Sequence, residues 1–146
     1  MGRRGGDRPA RGNLPRRDRP ERGERGRHFK QPADTGLLVA VANAVSAGVK
    51  RSIEWVHMPV PINRTDEAYF RHLAGLRLRP ETELFLGLVH HKDGLDGTQR
   101  RIAAAVKVVQ GFGVATECGM GRRPRDEVPG LLRIQRDAVA PQPQPV

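Results

Sequence analysis

The sequence predicts an α/β domain built on parallel strands, and two observations lead to that fold class. Short apolar runs typical of strands alternate with segments in which apolar residues recur at helical spacing. The three runs are centred about 30 residues apart, which is the usual length of a βαβ unit. Strands joined in this way lie parallel, with right-handed crossovers. The predicted order of elements is therefore α-β-α-β-α-β-α.

The first predicted helix begins at Asp34, a favourable N-cap residue, and ends at Gly48. The first predicted strand, residues 53–58, is stopped by Pro59 because proline lacks the amide hydrogen that a sheet requires. The residues at helical spacing that we expect on the core side of this helix are Leu37, Leu38, Val41, Ala44 and Val45.

The second unit has a helix capped by Thr65 or Asp66, and then a strand at residues 83–89. This strand is almost wholly apolar, so we expect both of its faces to be buried. A loop at residues 90–97 follows. The apolar residues on one side of the helix are Tyr69, Phe70, Leu73 and Leu76.

The third unit has a helix at residues 98–109, a strand at residues 112–117 and a last helix at residues 125–139, with Pro129 in its first turns. Three parallel strands alone would leave two open edges and a thin core, so the pattern indicates a piece of a larger structure. The residues expected on the inner side of the 98–109 helix are Ile102, Ala105, Val106 and Val109.

The positive charge of the chain is concentrated at its N-terminus. Residues 1–30 hold ten arginines and one lysine against four acids, a net charge of +7 out of +10 for the whole chain. Residues 1–27 are so poor in apolar side chains that we expect them to be disordered. We expect three regions: a disordered Arg/Gly/Pro-rich tail at 1–27, a folded domain at 28–139 and a Pro-rich tail at 140–146.

The cysteine content and the hydropathy of the chain indicate its cellular compartment. One cysteine excludes an internal disulfide and a cysteine-rich zinc site within the chain, and it fits a reducing compartment. The longest uncharged run, residues 35–49, is too short to span a bilayer comfortably. We therefore expect a cytoplasmic protein with no membrane partner.

Polar side chains that a scaffold does not require follow each predicted strand. The carboxyl ends of parallel strands share one edge, where such folds bind ligands, so we favour a ligand site there. The alternative is that each side chain is a solvated or loop-bonding residue. For Cys118 the alternative is a small buried apolar side chain. The first six residues of the following set are candidate catalytic groups and the last is a candidate metal ligand: His57, Arg64, His90, Asp93, Glu117, Arg122 and Cys118.

Segments around these residues resemble one family, the uroporphyrinogen decarboxylase and cobalamin-independent methionine synthase superfamily. The resemblance covers about residues 26–138, is greater to the methionine-synthase-like members, and implies the last three strands of an eight-stranded (β/α)₈, or TIM, barrel. The segments that carry it are Gly26-Arg27-His28-Phe29, His57-Met58-Pro59-Val60-Pro61, Leu86-Gly87-Leu88-Val89-His90 and Ala115-Thr116-Glu117-Cys118-Gly119.

The resemblance implies zinc-dependent methyl transfer to a thiol, with Cys118 as a zinc ligand. The His-x-Cys pair of the family has no counterpart in residues 1–25, and its glutamate ligand has no clear match at His57 or Met58. We therefore expect this chain to hold no stable zinc and to be inactive alone. We also expect it to be a truncated gene product or a misassigned reading frame.

Two other functions remain open at this point. The tail motifs Arg3-Arg4-Gly5-Gly6 and Arg25-Gly26-Arg27 resemble RGG segments, and their charge could bind nucleic acid without sequence preference. Against that role, the tail has no aromatic residue before Phe29 to stack on bases. The second possibility is a small stand-alone thiol enzyme that uses Cys118, which would need a closed fold.

Overall fold

The computed structural model describes residues 32–140, and a sheet of three strands lies at its centre. The strands are β1 (Trp55–Pro59), β2 (Glu83–Val89) and β3 (Phe112–Thr116). They pair in parallel in the order β1-β2-β3. The predicted α/β fold with three parallel strands is therefore confirmed. The predicted N-terminal tail, and all but the first residue of the predicted C-terminal tail, lie outside the described residues.

Four α-helices accompany the sheet, and three of them begin at other residues than the sequence predicts. The helix after β2 begins at the first of two glycines and so takes up half of the predicted 90–97 loop, and the last helix begins three residues later than predicted. The helices are α1 (Gly36–Gly48), α2 (Glu67–Phe70), α3 (Gly94–Ala105) and α4 (Val128–Val139), with a 3₁₀ segment at Arg71–Gly75 and another at Met120–Arg122.

Alternate residues of the strands divide the sheet into a covered face and an open face. Met58, Leu86 and Val114 lie side by side on the covered face, and every strand residue of the hydrophobic core lies on that face. His57 and Phe85 lie side by side on the other face. Sequential strand order with right-handed crossovers places every connecting helix on the same side, which explains the one-sided core.

The open face contributes no residue to the hydrophobic core of residues 32–140. Trp55, at its β1 edge, is 60% exposed. Phe85 is half-buried, whereas Gly87 and Val89 are buried. The expectation that β2 is buried on both faces therefore holds only toward the carboxyl end of the strand.

The predicted core side of α1 is wrong except at Leu38, which packs against the hydrophobic core. Leu37, Val41 and Val45 are 67%, 54% and 45% exposed, whereas the buried residues of the helix are Val39, Ala42 and Ser46. Apolar residues occur on every side of this helix, so periodicity alone could not choose the buried side. Hydrogen bonds of Thr35 and Asn43 make the choice instead.

Two polar residues fix the rotation of α1. Thr35 donates through its backbone N–H and its hydroxyl to the carbonyl of Tyr69, each at 3.1 Å. The Asn43 side chain donates to the Gly75 carbonyl at 3.0 Å and accepts from the Arg77 N–H at 2.7 Å. These bonds turn the Asn43 side of α1 toward the 3₁₀ segment and the opposite side toward solvent.

Residues at the helix N-termini explain where the other helices begin. The Asp66 carboxylate accepts the Tyr69 N–H at 2.9 Å, which confirms Asp66 as one of the two predicted caps. Thr35 is the N-cap of α1 in place of the predicted Asp34, although the Asp34 carboxylate accepts the Gly36 N–H at 2.8 Å. Proline lies at the start of α4, where its missing N–H costs nothing.

None of the helices described in residues 32–140 is long and apolar enough to cross a membrane.

Candidate functional site

The carboxyl edge of the sheet carries a network of mostly buried polar side chains and a groove on the open face. The network lies in the loops that follow β2 and β3, and it includes His90, Asp93 and Glu117. The groove contains His57 and Cys118. Five of the seven predicted site residues are therefore divided between two neighbouring environments.

Glu117 is the centre of the first half of the network. It is 7% exposed, pairs with the guanidinium of Arg123, and lies with Oε2 3.4 Å from Nδ1 of His90. Arg123 also bonds Glu127 at 3.1 Å. The backbone N–H of Glu117 donates to the Val89 carbonyl at 3.2 Å, so the residue continues the pairing of β3 with β2 just beyond the strand.

His90 is a buried, neutral imidazole whose tautomer follows from its contacts. It is 3% exposed, and its Nε2 lies 2.8 Å from the Val60 carbonyl, which can only accept, so Nε2 carries the hydrogen. Burial, and then the charge of Arg101, lower the pKa of His90 to about 4. The Nδ1 lone pair therefore faces the Glu117 carboxylate, and any proton added to the imidazole would lie between them.

Arg101 forms the second half of the network from the buried side of α3. Its side chain is 0% exposed and bonds both oxygens of Asp93, at 2.6 and 2.9 Å. It also donates to the carbonyls of Leu88 and Ile62, at 2.7 and 2.8 Å. Partial burial acts to raise the pKa of Asp93, but the Arg101 hydrogen bonds and charge hold it below its usual value. Asp93 is therefore ionised, and Arg101 ties the loops after β1 and β2 together.

The His57 side chain reaches across the open face. Its Nε2 is 3.1 Å from the Thr116 carbonyl on β3, so the side chain spans β2 from one edge strand to the other. Gly87 makes room for it, because a Cβ there would stand 3.0 Å from the imidazole and 3.1 Å from the same carbonyl. Because a carbonyl oxygen can only accept, Nε2 is the donor in this contact.

The open-face groove has a volume of about 440 Å³ and combines an aromatic floor with a thiol at one end. The Phe85 ring lies over Gly113, where any larger side chain would overlap it. Cys118 is exposed, so its alternative interpretation as a buried apolar residue is wrong. The residues lining the groove are Trp55, His57, Phe85, Ala115, Thr116, Glu117, Cys118, Gly119 and Met120.

Two predicted site arginines have other contacts. Arg64 pairs with Asp66 at 3.0 Å, and its guanidinium carbon lies 4.9 Å from the centroid of the Tyr69 ring. Arg122 is exposed and packs beside Gly119. The arginine that pairs with Glu117 is its neighbour, Arg123.

The donor set does not fit a complete zinc site. Nowhere in residues 32–140 do three or more histidine, cysteine or acidic side chains gather in a way that could hold a metal ion. Cys118 shares the groove with His57 and Glu117, but the Glu117 carboxylate is engaged by Arg123. Structural zinc takes four protein ligands and catalytic zinc takes three plus water, so this part of the chain supplies too few.

The sequence analysis did not predict Arg101 or Arg123 as site residues. Only Arg101 has a sequence pattern that indicates its buried position. Gly94, Gly97 and Thr98 mark the side of α3 that approaches the sheet closely, and Arg101 lies on that same side at helical spacing. Asp93 occupies the space that a side chain at Gly97 would need. For Arg123, two adjacent arginines follow the same loop and nothing local distinguishes them.

Comparison of the chain with protein-family models, with curated proteins and with solved structures finds no match in any of the three.

Proposed function

We propose that this chain supplies the last three βα units of a (β/α)₈ barrel of the methionine-synthase-like kind, and that its strand ends form one wall of the substrate site of that barrel. The observation that carries the proposal is the one-sided core. Helices cover both faces of a doubly wound sheet, whereas a barrel has helices only on its outer face. Sequential strands with every core residue on one face fit the barrel arrangement.

The open face would then be the barrel interior. Its groove is apolar along the floor and carries His57 and Cys118 toward the carboxyl ends of the strands, where barrel enzymes hold their substrates. In the intact barrel the proposed chemistry is zinc-dependent methyl transfer to a thiol. Residues 32–140 do not complete a zinc site, so we propose that the chain is inactive by itself.

In this proposal the buried network has a positioning role. The Asp93–Arg101 pair holds the loop after β2, and the Glu117–Arg123 pair holds the loop that carries Cys118. Glu117 and Cys118 are adjacent residues. The ion pair between the Glu117 carboxylate and Arg123 therefore also fixes the position of the Cys118 side chain. Neither pair needs to touch the substrate to do this.

A chimera tests the proposal. Residues 32–140 would replace the last three βα units of a methionine-synthase-like barrel, and zinc content and methyl transfer would be measured. Trp55 is the only tryptophan of the chain. If the rest of the chimera contains no tryptophan, the fluorescence emission of Trp55 reports whether the open face has been covered. We expect a blue-shifted emission and one zinc ion per chimera.

The matched control is the same chimera with Cys118→Ser, which keeps the size of the side chain and removes the thiolate. We expect it to fold with the same Trp55 emission and to lose its zinc. A chimera that covers Trp55 and binds zinc equally well with and without Cys118 would refute the assigned role of the thiol. A full-length native chain that retains one zinc per monomer after dialysis would refute the need for further strands.

A further inference from the structure

A cavity of about 390 Å³ lies at the amino edge of the sheet, between the last turns of α1 and the segment 77–79. The first wall precedes β1 and the second precedes β2. Because β1 and β2 are paired with each other, further strands added to the sheet would not come between the two walls. The residues lining the cavity are Asn43, Ser46, Ala47, Arg77, Leu78 and Arg79.

Asn43 and Ser46 shape the α1 wall of this cavity. The Asn43 side chain donates to the Gly75 carbonyl and accepts from the backbone N–H of Arg77, so it holds the two walls together. Ser46 lies three residues farther along the same side of α1 and is only 5% exposed. Its hydroxyl has no hydrogen-bond partner among residues 32–140. Buried hydroxyl groups are normally hydrogen-bonded, so this one is available to a ligand.

Arg77 and Arg79 give the cavity a positive charge. The Arg77 side chain is exposed and forms no ion pair within the described part of the chain. The lining includes no acidic residue. Glu81 follows closely in sequence, but it accepts from the Ser52 hydroxyl at 3.4 Å and is not part of the lining. An anion in the cavity would therefore meet two guanidinium groups and no carboxylate of the lining.

The simpler role for these two arginines is to stabilise the carboxyl end of α1, where the helix carbonyls carry a partial negative charge. Arg79 has that role, because it donates to the carbonyl of Val49, directly after the helix, and to that of Arg51 at 3.0 Å. The Arg77 guanidinium makes no such bond within residues 32–140. Stabilisation of the helix end therefore accounts for Arg79 and leaves the Arg77 guanidinium and the Ser46 hydroxyl without a role.

From these features we infer that the cavity binds a small ligand that carries a phosphate group, of the size of a sugar phosphate. A guanidinium donates paired, charge-assisted hydrogen bonds to phosphate, and the Ser46 hydroxyl can donate one more. The volume is near the lower end of the range of small-molecule pockets, which runs from about 300 to 1,000 Å³. This inference is independent of the proposed function, because the groove and Cys118 lie toward the carboxyl ends of the strands.

An NMR titration of the isotope-labelled full chain tests the inference. Inorganic phosphate and ribose 5-phosphate would each be added to about 20 mM at constant ionic strength, because the basic tail also attracts anions. Ribose is the uncharged control. We expect saturable shifts of the amide resonances of Ser46, Arg77 and Leu78 with both phosphates, and none with ribose. The dissociation constant of ribose 5-phosphate should be about 1 mM or lower.

Variants separate the cavity from the tail. Arg77→Gln should weaken the binding of ribose 5-phosphate at least about tenfold, and Ser46→Ala about threefold. The control, Arg100→Gln, removes the same charge from an exposed position of α3 and should leave the affinity unchanged. Equal weakening by the two arginine variants, or saturable shifts in the tail alone, would overturn the inference. So would cavity shifts caused by single-stranded DNA and not by ribose 5-phosphate, because the ligand would then be a nucleic acid.

Discussion

Replacing Arg101 by methionine tests whether the buried network holds the carboxyl edge of the sheet together. Methionine fills a similar volume but donates no hydrogen bond, so Asp93 loses its partner and the carbonyls of Leu88 and Ile62 lose a donor. Breaking a buried ion pair costs about 3–5 kcal/mol, and Asp93 is 23% exposed, so water recovers part of that loss. We expect unfolding to be easier by about 3 kcal/mol, a large fraction of the about 5–15 kcal/mol typical of a domain.

The measurement is urea unfolding followed by circular dichroism, with Arg100→Met as the control. Arg100 neighbours Arg101 on α3 but is exposed, so its replacement should change the unfolding free energy by less than about 0.5 kcal/mol. Adding Asp93→Ala to Arg101→Met should cost less than the sum of the two single changes, because the second change removes the stranded carboxylate. Equal effects of the two arginine replacements would refute the network as a source of stability.

Three further outcomes follow from the contacts around the site and from the charge of the tail. Gly87→Ala should destabilise the fold by about 1–3 kcal/mol in urea unfolding, since its methyl group would displace the imidazole that crosses the open face, whereas Gly75→Ala meets no neighbour and should change little. Lowering the pH from about 6.5 to about 4 should reduce the free energy of unfolding by up to about 3 kcal/mol, because His90 is protonated more readily in the unfolded chain than in the folded chain. His90→Gln should flatten this pH dependence, whereas His91→Gln should not. Binding of the full chain to DNA should weaken steeply with added salt, show no sequence preference and be lost on deletion of residues 1–27; retention in that deletion variant would favour a nucleic-acid role for the folded domain.

The sheet was predictable because its signal is repeated along the chain. Three apolar runs at regular spacing fix the number of strands, and connections of that length fix their parallel direction. The Asp66 cap was predictable for a similar reason, since its carboxylate acts on an amide only three residues away. Short-range chemistry and repeated patterns are both visible in a single sequence.

The rotation of α1 and the burial of Arg101 could not be predicted in this way. The sides of α1 are nearly equal in hydrophobicity, and the choice between them depends on Thr35 and Asn43, whose partners lie more than 30 residues away. Arg101 enters the core because two carbonyls and Asp93 converge on it in space. Contacts of that kind become visible only when the strands have been placed side by side.

The sequential strand order has a consequence for how the domain opens. β2 is paired on both sides, whereas β1 and β3 are each paired on one side only within residues 32–140. Each unit contacts mainly its neighbours along the chain. Fraying at either edge therefore leaves the remaining pair intact, as in a short linear array of repeats. Amide hydrogens of Leu84 to Leu88 should exchange with solvent only on global unfolding, and those of β1 and β3 should exchange earlier. The protection of amides should thus decline outward from the middle strand in both directions.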